Sequence, residues 1–279
     1  MISPEISYAA TYSNTSNRIA AKAAESSYFY REIGNDYESR KNAMICHLYS
    51  GRRISEYRTT NWADAYFSYD FSSLLCVILL ILGLSSSFTR ERESGMHQLI
   101  AAYGKTGSTV MSKIASSAVF CLILTIVFTI SDLMGVNDFL VIKNAEMPLY
   151  SAEIFELTPF NFTFTEAIFM CAGLRFLGLF AIALLILTIS KIAPNTIAAT
   201  VCSFAAVSIL ILLSLVSGNL FNPIGLLTPK SYLEKFGVVN LLGNPILELY
   251  GAVICAVLLC LAFIAVIAFR RKNNAASRT

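Results

Sequence analysis

The chain has 279 residues, 56% of them hydrophobic and only 14% charged, with a mean hydropathy of +0.62. These proportions exclude an ordinary soluble domain and predict an all-α polytopic membrane protein. The net charge of +3 is explained by the tail and loops and argues against nucleic acid as a partner, while the seven cysteines, mostly inside apolar runs, give neither a disulfide framework nor zinc-ligand spacing.

Residues 1–70 are polar, tyrosine-rich and balanced in charge, with no run near the roughly 18 apolar residues that a span needs. Tyr30, Ile33, Tyr37, Met44 and Leu48 follow helical spacing, and Gly34-Asn35-Asp36 interrupts it, which predicts two or three helices ending near Gly51. The tyrosines fit packing within this small helical region better than a ligand site. Trp62, Tyr66 and Tyr69 read as an interfacial aromatic belt ahead of the first span.

Two apolar runs follow, over about 71–88 and 114–133, each long enough to span. Between them, Arg90-Glu91-Arg92-Glu93 cannot lie in hydrocarbon and marks where the first run leaves the membrane. Gly95 makes a turn, and Met96, Leu99, Ile100 and Tyr103 then fall on one side of a short helix that Gly104 and Gly107 end. Such a helix has three readings: it lies on lipid headgroups, it docks into a groove of a soluble protein, or Gly104-Lys105-Thr106 belongs to a nucleotide loop. The third fails, because Leu99 stands where a P-loop needs its first glycine and a helix replaces the strand-loop-helix setting.

Residues 69–117 as a whole resemble the central signature of ABC-2-type ABC transporter permeases. In that pattern a span ends in phenylalanine and a Glu-rich turn, passes through G-M-x-x-L-[IL] and a Gly-Lys pair, and reaches a lysine at the next span. Phe88, Glu91, Glu93, Gly95, Met96, Leu99, Ile100, Gly104, Lys105 and Lys113 match it by position. The resemblance implies that residues 94–105, with Tyr103 on the apolar side, are a coupling helix seated on a separate ATPase subunit. It also implies a second permease copy or paralogue as partner, and no cofactor on this chain.

The third apolar stretch, about 167–193, contains Arg175. Either the span starts at Arg175 and ends near Lys191, with both heads snorkelling and 160–174 lying as an amphipathic lead-in helix, or Arg175 is buried against a partner. Glu166 is a poor partner, since nine helical residues at about 100° each put it on the opposite side. The fourth segment starts after Pro194, which suits a helix's first turn, and continues to about Ser217. Thr196, Thr200, Ser203, Ser214 and Ser217 form one stripe along it, read as close helix packing or as the lining of a transport path. Residues 218–245 are too broken to span and too apolar for a free loop, and read as a pair of short re-entrant or surface helices on the outer side. The fifth span, about 246–269, stops at Arg270-Arg271-Lys272.

With that basic tail cytoplasmic, the loop carrying Arg90, Arg92, Lys105 and Lys113 is cytoplasmic too, and residues 1–70 form an extracytoplasmic helical region of a multi-pass cell-membrane protein. Arg52, Arg53 and Arg58 pull weakly the other way. ABC-2 permeases have six spans with an extracytoplasmic domain after the first, so the layout resembles that plan without its first helix; the native product is expected to extend upstream, or a separate short chain to supply that helix. The division is then 1–70 outside and 71–279 transmembrane. The function expected is the permease subunit of an ATP-driven exporter, without enzymatic activity of its own: ATP hydrolysis belongs to the partner, and membrane lipid surrounds the spans. A non-transporting scaffold or immunity protein of the same fold is the alternative. An intramembrane enzyme is disfavoured because His47 and His97, the only histidines, lie outside the spans.

Overall fold

A computed structural model describes residues 4–54, 60–69, 71–104, 106–217 and 222–276, and for 4–6, 217 and 269–276 the backbone alone. Its elements in order are α1 (Pro4–Glu32), α2 (Asp36–Tyr49), α3 (Asn61–Phe67), α4 (Phe71–Leu84), α5 (Thr89–Glu93), α6 (Met96–Ala102), α7 (Thr106–Phe139), α8 (Phe164–Ile192) and α9 (Thr196–Ser217). After them come α10 (Lys230–Glu234), strands β1 (Val238–Leu241) and β2 (Asn244–Leu247), and α11 (Glu248–Ala276). Among the described residues, five helical stretches are long and apolar enough to cross a bilayer: Asn61–Glu93, Thr106–Phe139, Phe164–Ile192, Thr196–Val216 and Glu248–Ala268. The chain is a predominantly helical membrane protein.

The chain forms two compact units. One comprises Met1–Ser68, Leu133–Met170 and Pro229–Gly251. Here α1 and α2 form an antiparallel hairpin, turned at Gly34 with φ of 75° and capped by the Asn35 side chain, which accepts from the Glu38 amide. Ser27 and Ser39 each donate to the other's carbonyl across the hairpin, and Ser16 donates to the Tyr49 carbonyl. Trp62 and Tyr66, expected as a membrane-interface belt, are instead buried in this unit. The Trp62 indole packs 5.4 Å from the Phe164 ring and donates to the Lys143 carbonyl, which satisfies the one polar atom the ring carries. Tyr69 is half exposed.

Arg52, counted from sequence as a loop charge, is buried between the rings of Tyr49 and Tyr150, 4.5 and 5.1 Å from their centroids. It donates to Asn161 Oδ1 and the Thr158 carbonyl. Arg58 lies outside the described residues. Burial pushes the Tyr49 phenol up to about 12 and raises Tyr8 and Tyr12 as well, against the lowering field of Arg52. In the region read as a pair of short helices, Pro223–Leu226 and Lys230–Glu234 are helical, but β1 and β2 pair as an antiparallel hairpin from Val238–Leu247 to Leu241–Asn244. Its turn needs positive φ at two residues, supplied by Leu242 and Gly243.

The other unit comprises Tyr69–Asp132, Cys171–Thr228 and Ala252–Thr279, and α8 is its axis. Of the apolar part of α8, 56% is buried, against 39% or less in the other spans. Its residues are apolar all round, so it buries two faces. Leu179, Ile182, Ala183 and Ile186 pack on Cys76, Val77, Leu80 and Ile81 of α4, with Cys121 and Leu124 of α7 and Val207 of α9. Ala181, Leu184 and Leu187 pack on Ile114 of α7 and Cys260 and Ile267 of α11. The lead-in helix expected over 160–174 is absent: α8 is continuous from Phe164, opened by a reciprocal cap in which the Glu166 amide donates to Thr163 Oγ1 and the Thr163 amide to Glu166 Oε2. Pro194 lies ahead of α9 rather than in its first turn; Asn195 caps that helix by accepting from the Ala198 amide.

Candidate functional site

The stretch between α4 and α7 is assembled from short-range turns and long-range polar bonds. Ser85, buried at the end of α4, shares a 2.9 Å hydroxyl bond with Thr200 of α9, and Thr89 of α5 shares one of 3.1 Å with Thr196. The Phe88 amide donates to Ser190 Oγ at 3.0 Å. These bonds involve the N-terminal part of the hydroxyl stripe. Thr196 and Thr200 hold α9 against α4 and α5, and buried Ser203 donates back to the Ala199 carbonyl. Ser214 is half buried further along α9, and the Ser217 side chain lies outside the described residues.

The charged residues of α5 meet the turn between α8 and α9 with matched signs. Arg92 donates to the Ala193 and Lys191 carbonyls at 2.6 and 2.8 Å, placing a cation at the C-terminus of α8. Glu93 accepts from the Thr196 amide at 2.7 Å and its hydroxyl at 2.9 Å, placing an anion at the N-terminus of α9. Glu91 pairs with Lys113 of α7 at 2.8 Å. The Lys113 ammonium also donates to the Ser87 carbonyl and lies 4.0 Å from the Phe88 ring centroid. Of these two acids, Glu91 makes an ion pair and Glu93 makes a helix cap.

On this base stands α6, bounded by Gly95 with φ of 70° and Gly104 with φ of 66°. Both angles lie where a side chain costs about 1 kcal/mol, so glycine is the residue that lets the helix start and stop within seven residues. None of its residues is buried. Met96, Leu99 and Tyr103 are 53%, 61% and 78% exposed, and Ile100 is half buried on the same side. Lys105 lies outside the described residues. A shallow hollow at the foot of α6 is lined by Ser86, Ser87, Arg90, Glu91, Ser94 and Met96. Chemically the site is an exposed apolar knuckle with a hydroxyl-rich foot. It offers a contact surface, and among the described residues no group of three His, Cys, Asp or Glu side chains could hold a metal.

Sequence reasoning missed a second polar constellation. Asp132 of α7 accepts from Arg175 of α8 at 2.9 Å and from Ser72 of α4 at 2.8 Å, both on Oδ2. The Arg175 and Asp132 side chains are 11% and 6% exposed, so Arg175 is paired inside the protein rather than snorkelling alone. The signal available was that Asp132 is the only acid within the second apolar run, as Arg175 is the only base well inside the third.

Comparison with known proteins leaves the class at the level the fold defines, a helical membrane protein with five membrane-length apolar helical stretches among the described residues. No protein family, no curated protein and no solved structure matches the chain.

Proposed function

We propose that this chain is the membrane-spanning subunit of an ATP-binding-cassette exporter of the ABC-2 type, with α6 as the helix gripped by a separate ATPase subunit. The observation that carries the reading is the exposed apolar side of α6, Met96, Leu99 and Tyr103, held between two membrane-length helices and left uncovered by the described residues. A surface helix that keeps three large apolar side chains in the open gains from an apolar surface against them, which a groove on a partner protein supplies; fully burying a side chain such as Leu99 contributes about 1.5–3 kcal/mol. The bonds from Glu91, Arg92 and Glu93 to α7, α8 and α9 suit a coupling element, because a push on α6 would load several helices at once.

In this reading the ATPase supplies the free energy and the chain itself holds no nucleotide. The loop containing α6 and the basic C-terminal tail face the cytoplasm, residues 1–70 lie outside, and the transport path forms with a second copy or a paralogue. Glu91 and Glu93 act from within the permease, fixing the base of the knuckle.

The test is co-purification of the full chain with the ATPase encoded beside its gene, for wild type, Leu99→Asp and Ile100→Asp. Leu99→Asp is expected to weaken the association at least about tenfold, because it puts a charge into an apolar contact. Ile100→Asp should do the same to a lesser degree. Association unchanged in both variants would remove the docking assignment.

A further inference from the structure

Near both of its ends α7 is bound by polar contacts to the segment that runs from α4 through the following turn into α5. Near the knuckle, Lys113 of α7 pairs with Glu91 and donates to the Ser87 carbonyl just past α4. At the other end, Ser72, the second residue of α4, donates to Asp132. Lys113 and Asp132 are nineteen residues apart on one helix, about 28 Å along its axis. Between the two ends the helices touch closely: a Cβ added at Gly83 would come within 3.1 Å of the Phe120 ring. The three contacts fall in one antiparallel register.

Inside a bilayer the hydrophobic effect gives helices little reason to associate, and close packing together with interhelical hydrogen bonds holds them. Polar bonds near each end add to the close packing between them and fix the register of the pair. We propose that α4 and α7 are one rigid arm, with Asp132 as its far fastening: it grips α4 through Ser72 and α8 through Arg175, so displacement of the knuckle is carried to the opposite end of the spans. Asp132 can hold both partners because its carboxylate accepts from a hydroxyl and a guanidinium at once. The Arg175 charge, costly by itself in a membrane helix, is balanced by the same bond. This inference concerns the helix pair alone and holds whichever protein meets α6.

Stability of the full chain reads how the two fastenings combine, through unfolding in lipid bicelles by added sodium dodecyl sulfate, followed by loss of helical circular dichroism. The variants are Glu91→Gln, which weakens the near fastening, Ser72→Ala, which weakens the far one without stranding Arg175, and the two combined. Two independent local contacts this far apart would act additively, so the unfolding constant of the double variant would rise by the product of the single effects. In a rigid arm each fastening holds the other in place, so either single change already forfeits the coupling between them. The double variant is expected to fall short of that product by more than about threefold, the scale of measurable coupling between sites. An unfolding constant within threefold of the product, or above it, would overturn the rigid arm, without bearing on whether α6 docks an ATPase.

Discussion

Single residues decide most of the polar chemistry in this protein, and tyrosines show it outside the spans. Tyr49 donates to the Leu157 carbonyl at 2.6 Å and stacks on Arg52, and its burial lifts the phenol to about 12. An unfolded chain would ionise the same group near about 10. Its contribution is thus complete below about pH 10 and is lost as pH rises from about 10 to about 12, where the unfolded state has released the proton and the folded state has not. Thermal unfolding followed across that range should lose stability steeply in the wild-type chain and less steeply in Tyr49→Phe; identical slopes would show that the phenol is not perturbed. At this scale the sequence announces some residues and hides others. Gly95 and Gly104 are legible because a short helix between charges and a span needs positive φ at its ends. Asp132 is not, since its partners lie 43 and 60 residues away and no local pattern tells which side of α7 it occupies.

At the scale of elements, helices were legible where caps and composition agreed. The α1–α2 break at Gly34-Asn35 and the entry to α9 after Pro194 are written in turn and cap residues. The β1–β2 hairpin was not, because Leu242 occupies the left-handed turn position where Asn or Asp is the usual signal, and its strands sit in a stretch broken by Pro229 and Pro245. The continuity of α8 through Arg175 also depends on a tertiary bond, which outweighs the local reason to end the span there. The cap that Glu93 places on α9 yields its own prediction. Glu93→Ala should leave the Thr196 amide without its acceptor and speed exchange at residues 196–199 by roughly threefold or more, with α11 unaffected. Hydrogen exchange resolved to single peptides reads both; equal exchange in the two proteins would mean the carboxylate does not cap the helix.

For the whole molecule, composition gives the membrane class directly, and five apolar stretches follow from hydropathy alone. The partition into units was less legible, because residues 133–170 and 229–251 join the N-terminal helices through contacts at long sequence separation, such as Trp62 with Lys143 and Tyr49 with Leu157. The functional reading adds a direction: α6 must face the compartment that holds ATP. The measurement that tests this most directly is labelling of Tyr103→Cys with a membrane-impermeant maleimide, in intact cells and in inverted membrane vesicles, against the wild-type chain as background. Tyr103 is 78% exposed and outside the apolar core, so the new thiol should react freely wherever reagent reaches it. Labelling in inverted vesicles but not in intact cells is the result this account predicts; labelling from outside intact cells would place the knuckle on the wrong side of the membrane and contradict it.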